Sequence, residues 1–146
     1  LNSMFIDEKG KLNHIYSGSY GIGVSRLVAA IIESSHDDKG IVWPIQVSPF
    51  KIGLINVRKG DNTSTEYAEN FYKKYHKKYN LIYEDRDIRL GQKLSIFDLI
   101  GVPIQLIIGE KNIINNKVEV KDRKTGNIDL IDKDQIDNFL EKSYEL

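Results

Sequence analysis

Val102-Pro103-Ile104-Gln105-Leu106-Ile107-Ile108-Gly109 is a nearly continuous apolar run that ends on a glycine. Strands that alternate apolar and polar residues show one face to water, whereas an unbroken apolar run belongs to a strand covered on both faces. The run therefore predicts a central strand. Just upstream, Leu94, Ile96, Phe97 and Ile100 form the apolar side of a helix that Gly101 stops, and Leu81-Ile82-Tyr83-Glu84 before it reads as a second strand. Further back, Ile52-Gly53-Leu54-Ile55-Asn56-Val57 reads as a mostly buried strand, and Thr63-Ser64-Thr65-Glu66 as a capping box that opens a helix. Downstream, Val118 to Arg123 alternates, turns at Lys124-Thr125-Gly126-Asn127 and returns through Ile128-Asp129-Leu130-Ile131, the pattern of a hairpin. Asp132 with Gln135 caps a last helix carrying Ile136, Phe139 and Leu140.

The order strand, helix, strand, helix, strand, hairpin, helix predicts an α/β fold: a mixed β-sheet with right-handed crossovers and helices on both faces. Ligands of open α/β sheets gather at the carboxyl ends of the strands. The loop from Asp85 to Lys93 leaves such an end carrying Arg86, Arg89 and Lys93. Arg86 sits between Asp85 and Asp87, so a structural pairing competes with a ligand role; Arg89 and Lys93 are freer to meet a phosphate or a base edge. On the helix between the first two strands, Tyr67, Phe71, Tyr72, Tyr75 and Tyr79 share a face. That face reads as core, with base stacking as the alternative, and Lys73, Lys74, Lys77 and Lys78 read as a solubilising face, with a nucleic-acid contact as the alternative.

The 146 residues are 40% hydrophobic and 29% charged, the proportions of an ordinary globular protein. Because 21 basic residues balance 21 acidic ones, a nucleic-acid partner would need a local basic face. No apolar run reaches the length of a membrane span. The absence of cysteine removes disulfides and thiolate metal sites and fits a reducing cytosol, so a cytoplasmic protein with no membrane partner is expected. His36-Asp37-Asp38 offers metal-binding side chains, but sequence neighbours do not converge on one ion without a special turn, and a solvated loop is expected.

A second stretch has different chemistry. Gly18-Ser19-Tyr20-Gly21-Ile22-Gly23-Val24-Ser25-Arg26 leads into a helix with Val24, Leu27, Val28, Ile31 and Ile32 on one face, expected to be buried. Gly21 and Gly23 allow close backbone approach to a flat or anionic ligand, and Arg26 lies off the apolar stripe beside them. A plain glycine turn with a solvated arginine is the alternative. The dinucleotide fingerprint fails because Arg26 replaces its third glycine, and no Gly-Lys-Ser/Thr phosphate loop is present. Gly40-Ile41-Val42-Trp43-Pro44-Ile45-Gln46-Val47-Ser48-Pro49-Phe50 holds two of the three prolines and marks a boundary between residues 1–46 and 47–146.

The Gly18 to Arg26 string resembles motif 3 of class II aminoacyl-tRNA synthetases, specifically the bacterial-type prolyl-tRNA synthetases. The Trp43-Pro44 to Pro49-Phe50 string looks like that family's junction between catalytic and anticodon-binding domains. Asp85-Arg86-x-x-Arg89-x-Gly91-x-Lys93, Leu99-Ile100-Gly101-Val102-Pro103 and Gly109-Glu110-Lys111 resemble the anticodon-binding domain shared by the prolyl, threonyl, histidyl and glycyl enzymes. The resemblance implies that Arg26 packs on the adenine of ATP, that Gly21 and Gly23 make room for the adenylate, and that Ser19 lies near the proline pocket, where family members often carry cysteine. It implies an enzyme that activates proline with ATP and Mg2+ and transfers it to tRNA(Pro). Motifs 1 and 2 are absent and Leu1-Asn2-Ser3-Met4 reads as an interior cut or vector remnant. A C-terminal portion, inactive alone and without a cofactor of its own, is therefore expected from an enzyme that dimerises through its catalytic domain.

Proline anticodons share guanine at their second and third positions. A guanine offers O6 and N7 to an arginine fork, and its amino and N1–H groups to a carboxylate. Glu119, Lys121 and Arg123, at alternate positions of one hairpin strand, form a candidate reading set beside Arg86, Arg89 and Lys93; an exposed cross-strand charge ladder is the competing explanation. Two other functions stay open: a tRNA-binding accessory protein without catalysis, and a small-nucleotide-binding α/β domain.

Overall fold

The computed structural model describes residues 3–58, 60 and 62–144. Its main unit is a five-stranded sheet built from β5 (Ile52–Asn56), β6 (Leu81–Glu84), β7 (Ile104–Ile108), β8 (Lys117–Asp122) and β9 (Ile128–Asp132), in the order β6-β5-β7-β8-β9. β5 runs parallel to both β6 and β7, while β8 and β9 continue the sheet antiparallel. The connections β5 to β6 and β6 to β7 contain α2 (Asn62–Tyr75) and α3 (Leu90–Ile100). α4 (Glu110–Ile114) and α5 (Ile136–Tyr144) follow β7 and β9.

Every residue of β5 and β7 is buried, as an unbroken apolar run requires. Alternate residues supply two cores. Ile52, Leu54, Leu106, Ile108, Val118 and Val120 pack with α2, α4 and α5, while Ile55 and Ile107 pack with Phe97 of α3 on the other face. The mixed sheet with helices on both faces is thus as the sequence predicts. Gly53 lets α3 close onto the sheet, because a Cβ there would run into the Phe97 ring. Gly101 ends α3 with φ +75° and gives its backbone N–H to Phe97 and Asp98.

The aromatic face of α2 is core, with Phe71 and Tyr75 buried and Tyr67 and Tyr72 partly so; Tyr79, expected on the same helix, is also buried but lies in the turn beyond its end at Tyr75. Lys73 and Lys74 of α2 are engaged as ion pairs with Glu69 and with Asp137 of α5, and Lys78, just past the helix, pairs with Glu141 of α5.

Several local expectations change. α2 is already helical at Asn62, so Thr63 to Glu66 is interior to the helix rather than its cap. The hydroxyl groups there serve Asn56 instead: Ser64 Oγ donates to Asn56 Oδ1, and Asn56 Nδ2 donates to Thr65 Oγ1 at 2.9 Å. Asp132 makes no capping hydrogen bond, and a 3-10 turn over Lys133–Gln135 precedes α5. α3 starts at Leu90, so Lys93 is helical and not part of a loop.

Ahead of the sheet, β1 (Met4–Ile6) and β2 (Leu12–His14) form an antiparallel hairpin. α1 (Val24–Ser34) follows, and the polar run after it, expected to be a loop, folds into a small hairpin of β3 (His36–Asp37) and β4 (Gly40–Ile41). This hairpin lies on the end of α3. Gly40, at φ +137°, has no room for a Cβ against the Leu99 backbone, and Trp43 Nε1 donates to the Ile100 carbonyl at 2.9 Å. Among the described residues no helix is long and apolar enough to cross a membrane.

Candidate nucleic-acid interface

The parallel strands β5, β6 and β7 end together, at Asn56, Glu84 and Ile108. Glu84 is buried at 5% exposure and organises this edge. Its carboxylate accepts from the Arg86 backbone N–H at 3.1 Å, from Arg86 Nε at 2.8 Å, and from Arg86 Nη2. The guanidinium holds the Glu84 carboxyl below the usual carboxylate range, although burial opposes the shift. Arg86 is thus positioned by Glu84 rather than by its neighbours Asp85 and Asp87. A fork gripped on one side still leaves its side chain more than half exposed.

Lys93 corrects the expectation that it is free to meet a ligand. It is fully buried, and Nζ donates to the Asn56 carbonyl at 2.6 Å. The reason is helical phase: Lys93 lies four residues before Phe97, on the side of α3 that faces the sheet. Burial lowers its pKa. Arg89 behaves differently. It is exposed, extended at φ −62° and ψ 140°, and immediately precedes α3. With Val57, Arg58, Asp87, Ile88 and Gln92 it lines a shallow cleft of about 440 Å³. Arg58 was not anticipated from the sequence, since it follows a strand with no motif to mark it.

Along β8 the three expected readers separate. Glu119 lies opposite Ile107, next to the carboxyl edge of β7, and is half-buried beside Asn112, whose Nδ2 donates to Glu119 Oε2 at 3.3 Å. Lys121 lies opposite Gln105, and its Nζ donates to both carboxylate oxygens of Asp98, at 2.6 and 2.7 Å. Arg123 is 4% exposed. Its Nε donates to the Asp98 carbonyl at 2.9 Å, while Nη1 and Nη2 donate to the two oxygens of Asp37 at 2.8 and 2.6 Å. Arg123 is therefore a clamp between the hairpin and β3, out of reach of a ligand in this structure. An exposed charge ladder is also excluded, because the cations pair with α3 and β3 rather than across the strand.

The open part of this face is apolar. On this face α3 covers Ile55 and Ile107, while α2, α4 and α5 pack on the other. Cross-strand partners share a face, which places Leu130 beside Glu119 and Ile128 beside Lys121. Ile128 and Leu130 are each 55% exposed. A row of exposed aliphatic side chains with a carboxylate and an amide at one end can support unstacked bases and accept hydrogen bonds from their edges.

The Gly18 to Ile32 stretch forms no comparable enclosure. Ser19, Gly21, Gly23 and Arg26 are all exposed, and Gly23 ends the extended segment before α1 without a side-chain cap. The apolar stripe of α1, expected to be buried, is open: Val24 is 75% exposed and Val28 51%. Its last turn differs: Ile31 and Ile32 are half-buried, and Ile32 lines a cavity with Ile41, Trp43 and Leu99. Among the described residues no group of three or more His, Cys, Asp or Glu side chains gathers for a metal. Asp37, one of the residues that suggested such a site, is occupied by Arg123.

The mixed sheet, its arginines at the carboxyl edge and the open β8–β9 face define an α/β binding domain. The chain belongs to the anticodon-binding domain family, which it matches over residues 51–143. Among similar curated proteins, a proline--tRNA ligase of Rickettsia bellii (strain OSU 85-389) is 51% identical over 133 residues, 90% of this chain and 31% of that protein. Proline--tRNA ligases of Rickettsia akari (strain Hartford) and Rickettsia prowazekii (strain Madrid E) are 47% and 48% identical over 141 residues, 96% of this chain and 33% of each protein. The chain thus spans about a third of the length of these relatives.

Proposed function

We propose that this chain reads the anticodon of tRNA(Pro) for a proline--tRNA ligase. The observation that supports the reading most directly is the family match over the sheet that carries the exposed Arg86 and Arg89 at its carboxyl edge and Glu119 on its open face. In this proposal bases of the anticodon loop lie on Ile128 and Leu130. The Glu119 carboxylate, steadied by Asn112, accepts from the N1–H and amino groups of a guanine, while Arg86 and Arg89 meet phosphates or the O6 and N7 edge.

The finer roles extend the same proposal to the parent enzyme. Residues 1–46 belong to its catalytic domain and residues 47–146 to its anticodon-binding domain. There Arg26 stacks on the adenine of ATP, Gly21 and Gly23 admit the adenylate, and Ser19 borders the proline pocket. The proline carboxylate attacks the α-phosphate to give prolyl-adenylate and pyrophosphate, and the terminal tRNA hydroxyl then attacks the acyl carbonyl. Mg2+ accompanies ATP, and the enzyme works in the cytoplasm as a homodimer. These parts rest on the Gly18 to Arg26 resemblance and on the names of the relatives. The 146-residue chain alone is expected to show no aminoacylation.

The test is the affinity of the chain for a proline anticodon stem-loop against the same loop with both shared guanines changed to adenine, across a range of salt. A base-read position loses about 1–3 kcal/mol on mismatch, whereas phosphate contacts weaken with salt whatever the sequence. Equal binding of the two loops would refute anticodon reading.

A further inference from the structure

Asp98, in the last turn of α3, serves two cations from one carboxylate. Both oxygens hold Lys121 Nζ, and Oδ1 stands 3.9 Å from Arg123 Nε. Gln105 Nε2 also donates to Asp98 Oδ1, at 2.9 Å. Arg123 in turn grips Asp37, and Asp37 Oδ1 accepts from the backbone N–H of Lys39 at 2.8 Å and of Gly40 at 3.1 Å, closing the β3–β4 turn. A continuous polar chain therefore runs from the open face of β8 to the β3–β4 hairpin, with two carboxylates balancing two cations. Gln105 Oε1 is buried without a partner, and as an acceptor it cannot take the place of a departing ammonium.

We propose that Asp98 is a positioning residue that couples the β8–β9 face to the β3–β4 hairpin, so that a ligand drawing Lys121 off Asp98 loosens the hold of Arg123 on Asp37. For its ligand the proposal rests on the reading of β8–β9 as the RNA surface; the network itself does not depend on that reading. When Lys121 leaves, two carboxylates compete for one guanidinium, Asp98 from a largely buried position and Asp37 from the surface. Asp98 already lies close enough to Arg123 Nε to take it up. By linkage the effect is reciprocal: fixing the hairpin more tightly weakens the ligand by the same factor.

Amide hydrogen exchange at Lys39 and Gly40 in the 146-residue chain reads this directly. Lys121→Met keeps the aliphatic stem and removes the cation, and is expected to speed exchange at both amides about fivefold or more. Lys121→Arg should keep exchange slow, and Asp98→Asn combined with Lys121→Met, which balances the cluster again, should restore it. The amides of Leu54 and Leu106 in the sheet centre report general destabilisation. The proposal is overturned if Lys121→Met leaves Lys39 and Gly40 unchanged, if the double variant exchanges as fast as Lys121→Met, or if the sheet amides accelerate in step.

A second arm saturates the unmodified chain with the proline anticodon stem-loop, with binding followed separately by fluorescence anisotropy. Faster exchange at Lys39 and Gly40 on saturation is expected, and bound RNA without that change overturns the coupling to ligand. Failure of the RNA to bind refutes the surface reading and with it the ligand half of the proposal, while the variants still decide the network.

Discussion

Arg123 and Asp37 lie 86 residues apart in sequence, yet the buried guanidinium of one meets both carboxylate oxygens of the other at the surface. That fork joins the β8–β9 hairpin to the segment preceding the sheet, and it holds the Asp37 carboxyl well below its ordinary value of 3.8, chiefly through the Arg123 hydrogen bonds. The folded pKa is below the unfolded one, so the stabilisation is complete above about pH 4 and is lost as the pH falls toward the folded value. Arg123→Met should lower the urea midpoint at pH 7. It should also flatten the fall of that midpoint between pH 5 and pH 2, measured by circular dichroism. An unchanged acid slope would mean that the fork does not contribute in solution.

Arg89→Ala should weaken stem-loop binding to guanine and adenine loops alike and reduce the salt slope by about 1, as expected for a phosphate contact. Because Arg89 is exposed, the urea midpoint should shift by no more than about 0.5 kcal/mol equivalent. Titrations at several salt concentrations separate this outcome from a base-specific loss.

Glu119→Gln removes the carboxylate but keeps the shape and one acceptor. Preference for the guanine loop over the adenine loop should fall by about 1–3 kcal/mol, with little change in salt slope. Affinity for the two loops, measured side by side, checks it.

Lys93→Met should act on the fold and not on charge at the surface. It deletes the donor to the Asn56 carbonyl at the end of β5 and leaves that acceptor buried, at a cost of about 1–3 kcal/mol. Urea unfolding should show the loss, and the salt slope of RNA binding should be preserved. A reduced salt slope with intact stability would return Lys93 to the ligand surface.

Gly53→Ala tests the packing of α3. The added Cβ meets the Phe97 ring, and overpacking of this kind costs about 1–3 kcal/mol. Chemical denaturation is the measurement.

The sheet was legible because β5 and β7 are nearly continuous apolar runs, broken only by Asn56 and Gln105, and because Gly101 stops α3, signals that depend on neighbours in the chain. The candidate site was legible in part. Arg86, Arg89 and Glu119 follow from strand ends and strand phase, whereas Lys93 was misplaced because the start of α3 at Leu90 leaves no cap signal, its preceding residue being Arg89. Arg123 alternates correctly with Glu119 and Lys121, but its partner Asp37 belongs to a two-strand hairpin too short to show in periodicity. The openness of Ile128 and Leu130 depends on where α3 lies, which no local pattern encodes.

Among the described residues β9 closes one side of the sheet, with no strand beyond its outer backbone groups. With Ile128 and Leu130 exposed, such a margin would template the addition of a second copy, strand against strand. Asp129 and Asp132 stand exposed on the same strand and place negative charge where an identical strand would bring its own. The apolar row can thus stay available to a ligand without becoming a route to self-association, because the carboxylates make like-with-like pairing unfavourable.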